Sequence, residues 1–208
     1  MKILFILLST FLLFTTNVYA LEPIEDASLH SAEVFNDISK EEAIELIGEL
    51  AREDMKETGI LASVTTAQFI LESAYGKSNL AQNSNNLFGM KAKLSGNNWE
   101  TAWNGTSTYT IDTGEQLSSG AYAIVTAPFR SYSSLEQCIR DHSLYLTNAK
   151  LSNGEYRYKG IANETDYEKA FSILKEGGYA TSHTYVEKLC NVVETWNLTR
   201  FDEVEDVE

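Results

Sequence analysis

The stretch Ala67-Gln68-Phe69-Ile70-Leu71-Glu72-Ser73-Ala74-Tyr75-Gly76-Lys77-Ser78 decides how this chain is read. Its spacing predicts a helix over about 63–75, stopped by Gly76. Every neighbour of Glu72 is apolar except Gln68, one turn back on the same face, and Ser73. A carboxyl on so apolar a helix loses part of its hydration, which disfavours the ionised form and raises the pKa. A raised carboxyl pKa is what a general acid needs near neutral pH. Glu72 is therefore the first catalytic candidate, with Gln68 beside it as a substrate-binding candidate; the alternative is a solvated helix glutamate.

Working outward, Ser39-Lys40-Glu41-Glu42 is a capping box, and apolar residues follow at helical spacing up to Gly59. Residues 77–98 read as loop. Strands are expected over 106–111 and 121–125, joined through a Gly-Ser turn into a hairpin. Helices resume at a second box, Ser133-Ser134-Leu135-Glu136, and a third, Thr165-Asp166-Tyr167-Glu168, the latter helix closed by Gly177-Gly178. A last helix is expected over about 182–196. Helices, hairpin, helices predict an α+β, mainly α, domain: a helical body with a small β lobe.

The hairpin supplies the second acidic candidate, Glu115, in Asp112-Thr113-Gly114-Glu115-Gln116. A carboxylate on a hairpin can face one on the helical body across a cleft. Two facing carboxyls are the usual equipment of a glycosidase. Asp112 competes for that role, and a surface turn charge is the plainer alternative. Sugar rings stack their apolar faces on aromatics, and amides bond hydroxyl and acetamido groups. Phe88, Tyr109, Tyr158 and Tyr179, with Asn86, are the binding candidates on the segments that would border such a cleft. For any one of these aromatics the alternative is a core role.

The 208 residues suit one domain. With 16 Lys and Arg against 30 Asp and Glu, the net charge of −14 excludes a nucleic-acid binder, which needs a basic face. It equally excludes docking by charge on an anionic membrane or wall polymer. Met1-Lys2, an apolar run over 3–14, and Val18-x-Ala20 read as a secretory signal peptide over 1–20, cut after Ala20; the alternative is an uncleaved anchor. The expected location is secreted: extracellular, cell-wall or periplasmic. After cleavage no membrane attachment is expected, and the protein is taken as a monomer. Residues 21–38 are an acidic, patternless arm and 201–208 an acidic tail.

Export would allow Cys138 and Cys190 to pair; the alternative is two buried thiols acting as small hydrophobes. His30, His142 and His183 are scattered and no CxxC is present, so no metal site and no cofactor are expected. There is no GxSxG, HExxH, P-loop or GxGxxG opening a helix.

The helix signature over 67–78, followed by Asn85-Asn86-Leu87-Phe88-Gly89-Met90-Lys91-Ala92, resembles the bacterial endo-β-N-acetylglucosaminidase domain, glycoside hydrolase family 73. Flagellar peptidoglycan hydrolases and autolysins belong to it. Trp103-Asn104-Gly105, Ala127-Pro128-Phe129-Arg130-Ser131-Tyr132-Ser133 and Gly178-Tyr179-Ala180-Thr181 match in order, followed by Tyr185 and Lys188-Leu189. The resemblance covers about 40–197 and implies a glucosaminidase domain over 39–200 with a lysozyme-like fold around a substrate groove. It implies cleavage of the β-1,4 bond between N-acetylglucosamine and N-acetylmuramic acid in peptidoglycan glycan strands. Glu72 takes the place of the general acid, Glu115 that of the second acidic position, Tyr179 that of a groove tyrosine, and Asn86 and Phe88 those of the substrate-side loop. Ser182-His183 stand where the family continues with Asp-Pro, and neither Cys belongs to its pattern. A lytic transglycosylase, a muramidase and a non-catalytic glycan-binding or envelope-assembly module are the competing readings.

Overall fold

The computed structural model describes residues 31–94, 99–116 and 122–203. The signal-peptide reading of 1–20, the outer part of the acidic arm, the hairpin's Gly-Ser turn and the end of the acidic tail fall outside them.

Among the described residues there are six α-helices, with the second at the centre. α1 (Lys40–Thr58) opens on the predicted capping box: Ser39 Oγ accepts from the Glu42 N–H, the Glu42 carboxylate accepts from the Ser39 N–H, and Gly59 closes the helix in the left-handed region. α2 (Ala62–Ser73) is buried on nearly all sides, as a helix without a polar face must be. α1, α5 (Tyr167–Glu176) and α6 (Tyr185–Trp196) pack against it. The sheet is one antiparallel pair, β1 (Thr108–Gln116) and β2 (Tyr122–Arg130), with Tyr109 opposite Phe129 and Glu115 opposite Ala123. α4 (Leu135–Asn148) follows it. The mainly helical body with its β-hairpin agrees with the expected fold class.

Local expectations shift in detail. Both strands run longer than predicted: Pro128 turns its backbone N and O away from β1, so it costs no bond of the β1–β2 ladder. A short helix, α3 (Asn79–Ser84), lies where only loop was expected; Ser78 caps it, but its six residues are too few to show a period. The cap of α4 is Ser134, whose Oγ accepts from the Gln137 N–H, and the cap of α5 is Asp166; the second of two candidate residues won in both places. α6 starts at Tyr185, three residues later than expected and without a side-chain cap.

The two acidic ends need correction where they meet the body. Ala32–Asn36 forms a 3-10 turn whose Phe35 ring is wholly buried, 5.3 Å from the Phe69 ring. A Cβ on Gly76 would lie 2.0 Å from Phe35 Cδ2, so Gly76 is the floor on which this ring rests. At the other end Phe201 is buried over Gly48, and Asp202 Oδ1 accepts from the Ser63 N–H at 2.8 Å. Asp202 thus caps α2 in place of Leu61, which has no capping side chain. Residues 31–36 and 201–202 are walls of the core, not arm or tail. Phe35→Ala is expected to cost about 3–5 kcal/mol by leaving a cavity. A urea midpoint unchanged by this substitution would return residues 31–36 to the status of a loose arm.

The cysteines are not bridged. Cys138, on α4, is fully buried and its Sγ accepts from the Leu87 N–H at 3.3 Å, while Cys190 is half-buried on α6. The two helices that carry them do not share a packed face, so the thiols act as small hydrophobes.

Candidate active site

Glu72 occupies the last turn of α2. The helix then reverses through three consecutive left-handed residues, Ala74 (φ 53°), Tyr75 (φ 59°) and Gly76 (φ 76°). Left-handed Ala and Tyr store strain unless their surroundings dictate it. Ser73 dictates it here: its hydroxyl donates to the Phe69 carbonyl at 2.6 Å and accepts from the Gly76 N–H at 2.8 Å. The Gln82 amide donates to the Gly76 carbonyl at 2.7 Å and to the Ala32 carbonyl at 2.6 Å. The turn that aims Glu72 is thereby held by α3 and by the 3-10 turn at Ala32–Asn36.

The environment of Glu72 carries an electrostatic bias. The residue opens to solvent on one side, yet the protein packed behind its carboxyl raises its pKa above the usual glutamate value. The C-terminal end of the α2 dipole acts in the same direction. Opposing both, the nearby Tyr185 hydroxyl favours the ionised carboxylate and so lowers the Glu72 pKa. Tyr185 is itself fixed by Gln68, whose Nε2 donates to its hydroxyl at 3.0 Å. Gln68 is fully buried. It therefore anchors Tyr185, a correction to its expected contact with substrate.

Tyr179 stands on the other flank. It is half-buried, with its ring 6.1 Å from that of Tyr185 and 6.3 Å from that of Tyr158. Burial, then Tyr185, then the nearby Glu72 charge push its phenol pKa well up, so it remains protonated. Behind it, Tyr158 is buried with its hydroxyl 3.0 Å from that of Tyr145. Phe88 is buried and stacked on His142, ring centroids 4.0 Å apart. Asn86 donates both amide hydrogens to the Met90 and Arg130 carbonyls and accepts from the Met90 N–H. Expected substrate contacts at Tyr158, Phe88 and Asn86 are corrected accordingly: the first two back Tyr179 and the third clamps the loop. Position within a motif could not separate a residue that touches a ligand from one that supports its neighbour.

Tyr109 remains half-open on β1, with its hydroxyl donating to Asn79 Oδ1 at 3.0 Å, which ties the hairpin to α3. Position 115 falls in the same two-residue alternation as Tyr109 and Ile111; the Glu115 side chain lies outside the described residues. Asp112 belongs to the opposite, exposed row and accepts from Thr126 Oγ1 at 2.6 Å.

A buried charge cluster sets the hairpin on the body. Asp141, on α4, accepts from Arg130 Nη1 at 2.6 Å, from the Tyr132 hydroxyl at 2.7 Å, from the Ala102 N–H at 3.1 Å and from the Thr101 hydroxyl. Arg130, the last residue of β2, also lies 4.9 Å from the Trp103 ring. Neither charged side chain is exposed. The Arg130 N–H further donates to the Met90 carbonyl at 2.9 Å and the Ala92 N–H to the Pro128 carbonyl at 3.0 Å, joining the loop after α3 to the base of β2.

Hollows of about 260 and 270 Å³ elsewhere on the surface, beside Arg157 and Arg140, do not include Glu72. Among the described residues no group of three or more His, Cys, Asp or Glu could hold a metal ion.

Comparison with known proteins supports the same chemistry. Residues 48–198 match the family model described as mannosyl-glycoprotein endo-beta-N-acetylglucosaminidase. The chain is 33% identical over 145 residues to the exo-glucosaminidase LytG of Bacillus subtilis, covering 70% of this chain and 47% of that protein. It is 35% identical over 186 residues to an autolysin of Enterococcus faecalis, covering 86% of this chain and 24% of that protein. It thus spans less than half the length of either relative. The catalytic domain of the Listeria monocytogenes autolysin Auto superposes with a TM-score of 0.65 at 28% identity, covering 87% of this chain and all of that one. With its lysozyme-like helical body, its hairpin and an acid of raised pKa at the end of α2, the chain belongs to the glucosaminidase family of glycoside hydrolases, family 73.

Proposed function

We propose that the protein is a secreted, monomeric peptidoglycan hydrolase that cuts glycan strands internally at the β-1,4 bond between N-acetylglucosamine and N-acetylmuramic acid. The observation that carries this reading is the placement of Glu72: raised in pKa by burial, open on one side and flanked by Tyr185 and Tyr179. In the proposed step the Glu72 proton passes to the glycosidic oxygen. The C1–O bond breaks with its electron pair going to that oxygen, and positive charge grows at C1. Water then adds at C1 and gives its proton either to Glu115, with Glu72 reprotonated from solvent, or, where the 2-acetamido oxygen has first closed on C1, to the Glu72 carboxylate as water breaks that C1–O bond. Of the aromatic binding candidates, Tyr109 and Tyr179 are half-open and so able to contact sugar faces.

Digestion of purified peptidoglycan, with mass analysis of the borohydride-reduced products, tests bond and reaction together. Reducing N-acetylglucosamine ends on long fragments are expected. Release of single sugars would mean exo action. Reducing N-acetylmuramic acid ends would mean a muramidase, and 1,6-anhydro ends a lytic transglycosylase. Wall binding without new ends would mean a non-catalytic module.

Tyr185→Phe offers a finer check. The nearby Tyr185 hydroxyl favours the Glu72 carboxylate, so removing it raises the Glu72 pKa further. The alkaline limb of the pH–rate profile is then expected to move to higher pH. Gln68 would lose its hydroxyl partner, at a cost of about 1–3 kcal/mol. A limb that stays in place would show that Glu72 is not the titrating acid.

A further inference from the structure

His142 has no part in the mechanism above, although it lies directly behind Tyr179. α4 buries its ring completely, stacked on Phe88 at an interplanar angle of 15° and meeting the Tyr179 ring edge-on at 90°. Nε2 is 3.0 Å from the Tyr179 hydroxyl oxygen. Nδ1 is buried and has no hydrogen-bond partner among the described residues.

Burial pulls the His142 pKa down to about 3, against a smaller opposing effect of the Asp141 charge, so the ring is neutral and carries one N–H. A proton on Nδ1 would be a buried donor with nothing to receive it, a rare arrangement in folded proteins. A proton on Nε2 leaves only an unpartnered lone pair on Nδ1. The second tautomer is favoured, and in it Nε2–H donates to the Tyr179 oxygen. The hydroxyl hydrogen of Tyr179 must then point elsewhere. The Phe88 carbonyl, at 3.5 Å, lies at the limit of hydrogen bonding and holds it weakly.

We propose that His142 is a positioning residue: by donating from Nε2 to the Tyr179 oxygen, it turns the Tyr179 hydroxyl into a hydrogen-bond donor aimed at an oxygen of the bound glycan. The assignment rests on the function proposed above. It also accounts for a buried imidazole where an aliphatic side chain would fill the same space without leaving a nitrogen unpaired.

The test compares His142→Gln with His142→Asn. Both are neutral amides of similar burial, but only Gln carries its N–H as far out as Nε2. On soluble peptidoglycan glycan, His142→Gln is expected to keep kcat close to wild type. His142→Asn is expected to lose about 3- to 10-fold in kcat, the worth of one hydrogen bond, with KM nearly unchanged. In a Tyr179→Phe background the Asn substitution should cost nothing more. Nitrogen NMR of ring-labelled protein should show His142 protonated at Nε2 alone through the neutral range. Equal kcat for the Gln and Asn variants, additive losses with Tyr179→Phe, or a proton on Nδ1 would each overturn the proposal. Cleavage that is lost in Glu72→Gln yet indifferent to His142 would overturn it alone. A wild-type protein that releases no new ends would overturn the proposed function as well.

Discussion

Glu72→Gln is expected to lower glycan cleavage by about 10²–10⁴-fold while the fold remains intact. Gln preserves the size and polarity of the side chain but cannot deliver a proton to the glycosidic oxygen. The same substitution should leave stability unchanged or increase it, and the sign follows from the raised pKa. A carboxyl whose pKa is higher in the folded than in the unfolded state adds stability below its unfolded pKa. That contribution is lost as pH rises through the folded value. Wild type and variant should therefore match in stability at acid pH, with the variant more stable at neutral and alkaline pH. The gain offsets a penalty that the wild type bears for having an acid at this position. Release of reducing ends, scored beside urea midpoints at acid and alkaline pH, checks both statements. A fully active Gln variant would remove Glu72 from the mechanism.

Asp141→Asn is expected to cost about 3–5 kcal/mol, because it leaves the Arg130 guanidinium buried opposite a neutral amide. In a protein of this size that corresponds to a fall in Tm of about 6–20 °C. The effect should exceed that of any exposed ion pair, such as Lys56 with Glu53, since water screens those. Replacing Arg130 and Asp141 together by Met and Leu should recover part of the loss. Full recovery is not expected, because the Ala102 N–H and the Tyr132 hydroxyl would both lose their acceptor. Calorimetry of the wild type and the two variants separates these outcomes. An unchanged Tm for Asp141→Asn would show that the pair does not hold the hairpin to the body.

Much of the architecture was legible in local patterns because local forces produce it. The Ser39–Glu42 box forms within one turn of α1 and needs nothing from the rest of the chain. The apolar run before Glu72 announced a central helix, since no amphipathic alternative exists for it. The same run announced an acid of raised pKa, and the general shape of the site followed. α3 escaped notice because six residues are shorter than two helical turns. The slip of the α4 and α5 caps by one residue reflects a choice between adjacent side chains with nearly equal capping strength.

The roles of individual site residues divide in the same way. Sequence by itself determined the helix–hairpin–helix order, the position of Glu72 at the end of an apolar helix, and the family to which the chain belongs. Only the tertiary structure decided that Gln68 anchors Tyr185, that Asn86 clamps a loop, that Phe88 and Tyr158 stand behind Tyr179, and that the thiols stay apart. It also drew Phe35 and Asp202 out of the acidic ends and into the walls of α2. The physical reason is one of range. Propensity, capping and hydrophobic period act over a few residues and leave their mark in the local string. Hydrogen-bond saturation and burial depend on which distant segments meet: Gln68 and Tyr185 are 117 residues apart, and Ser63 and Asp202 are 139 apart.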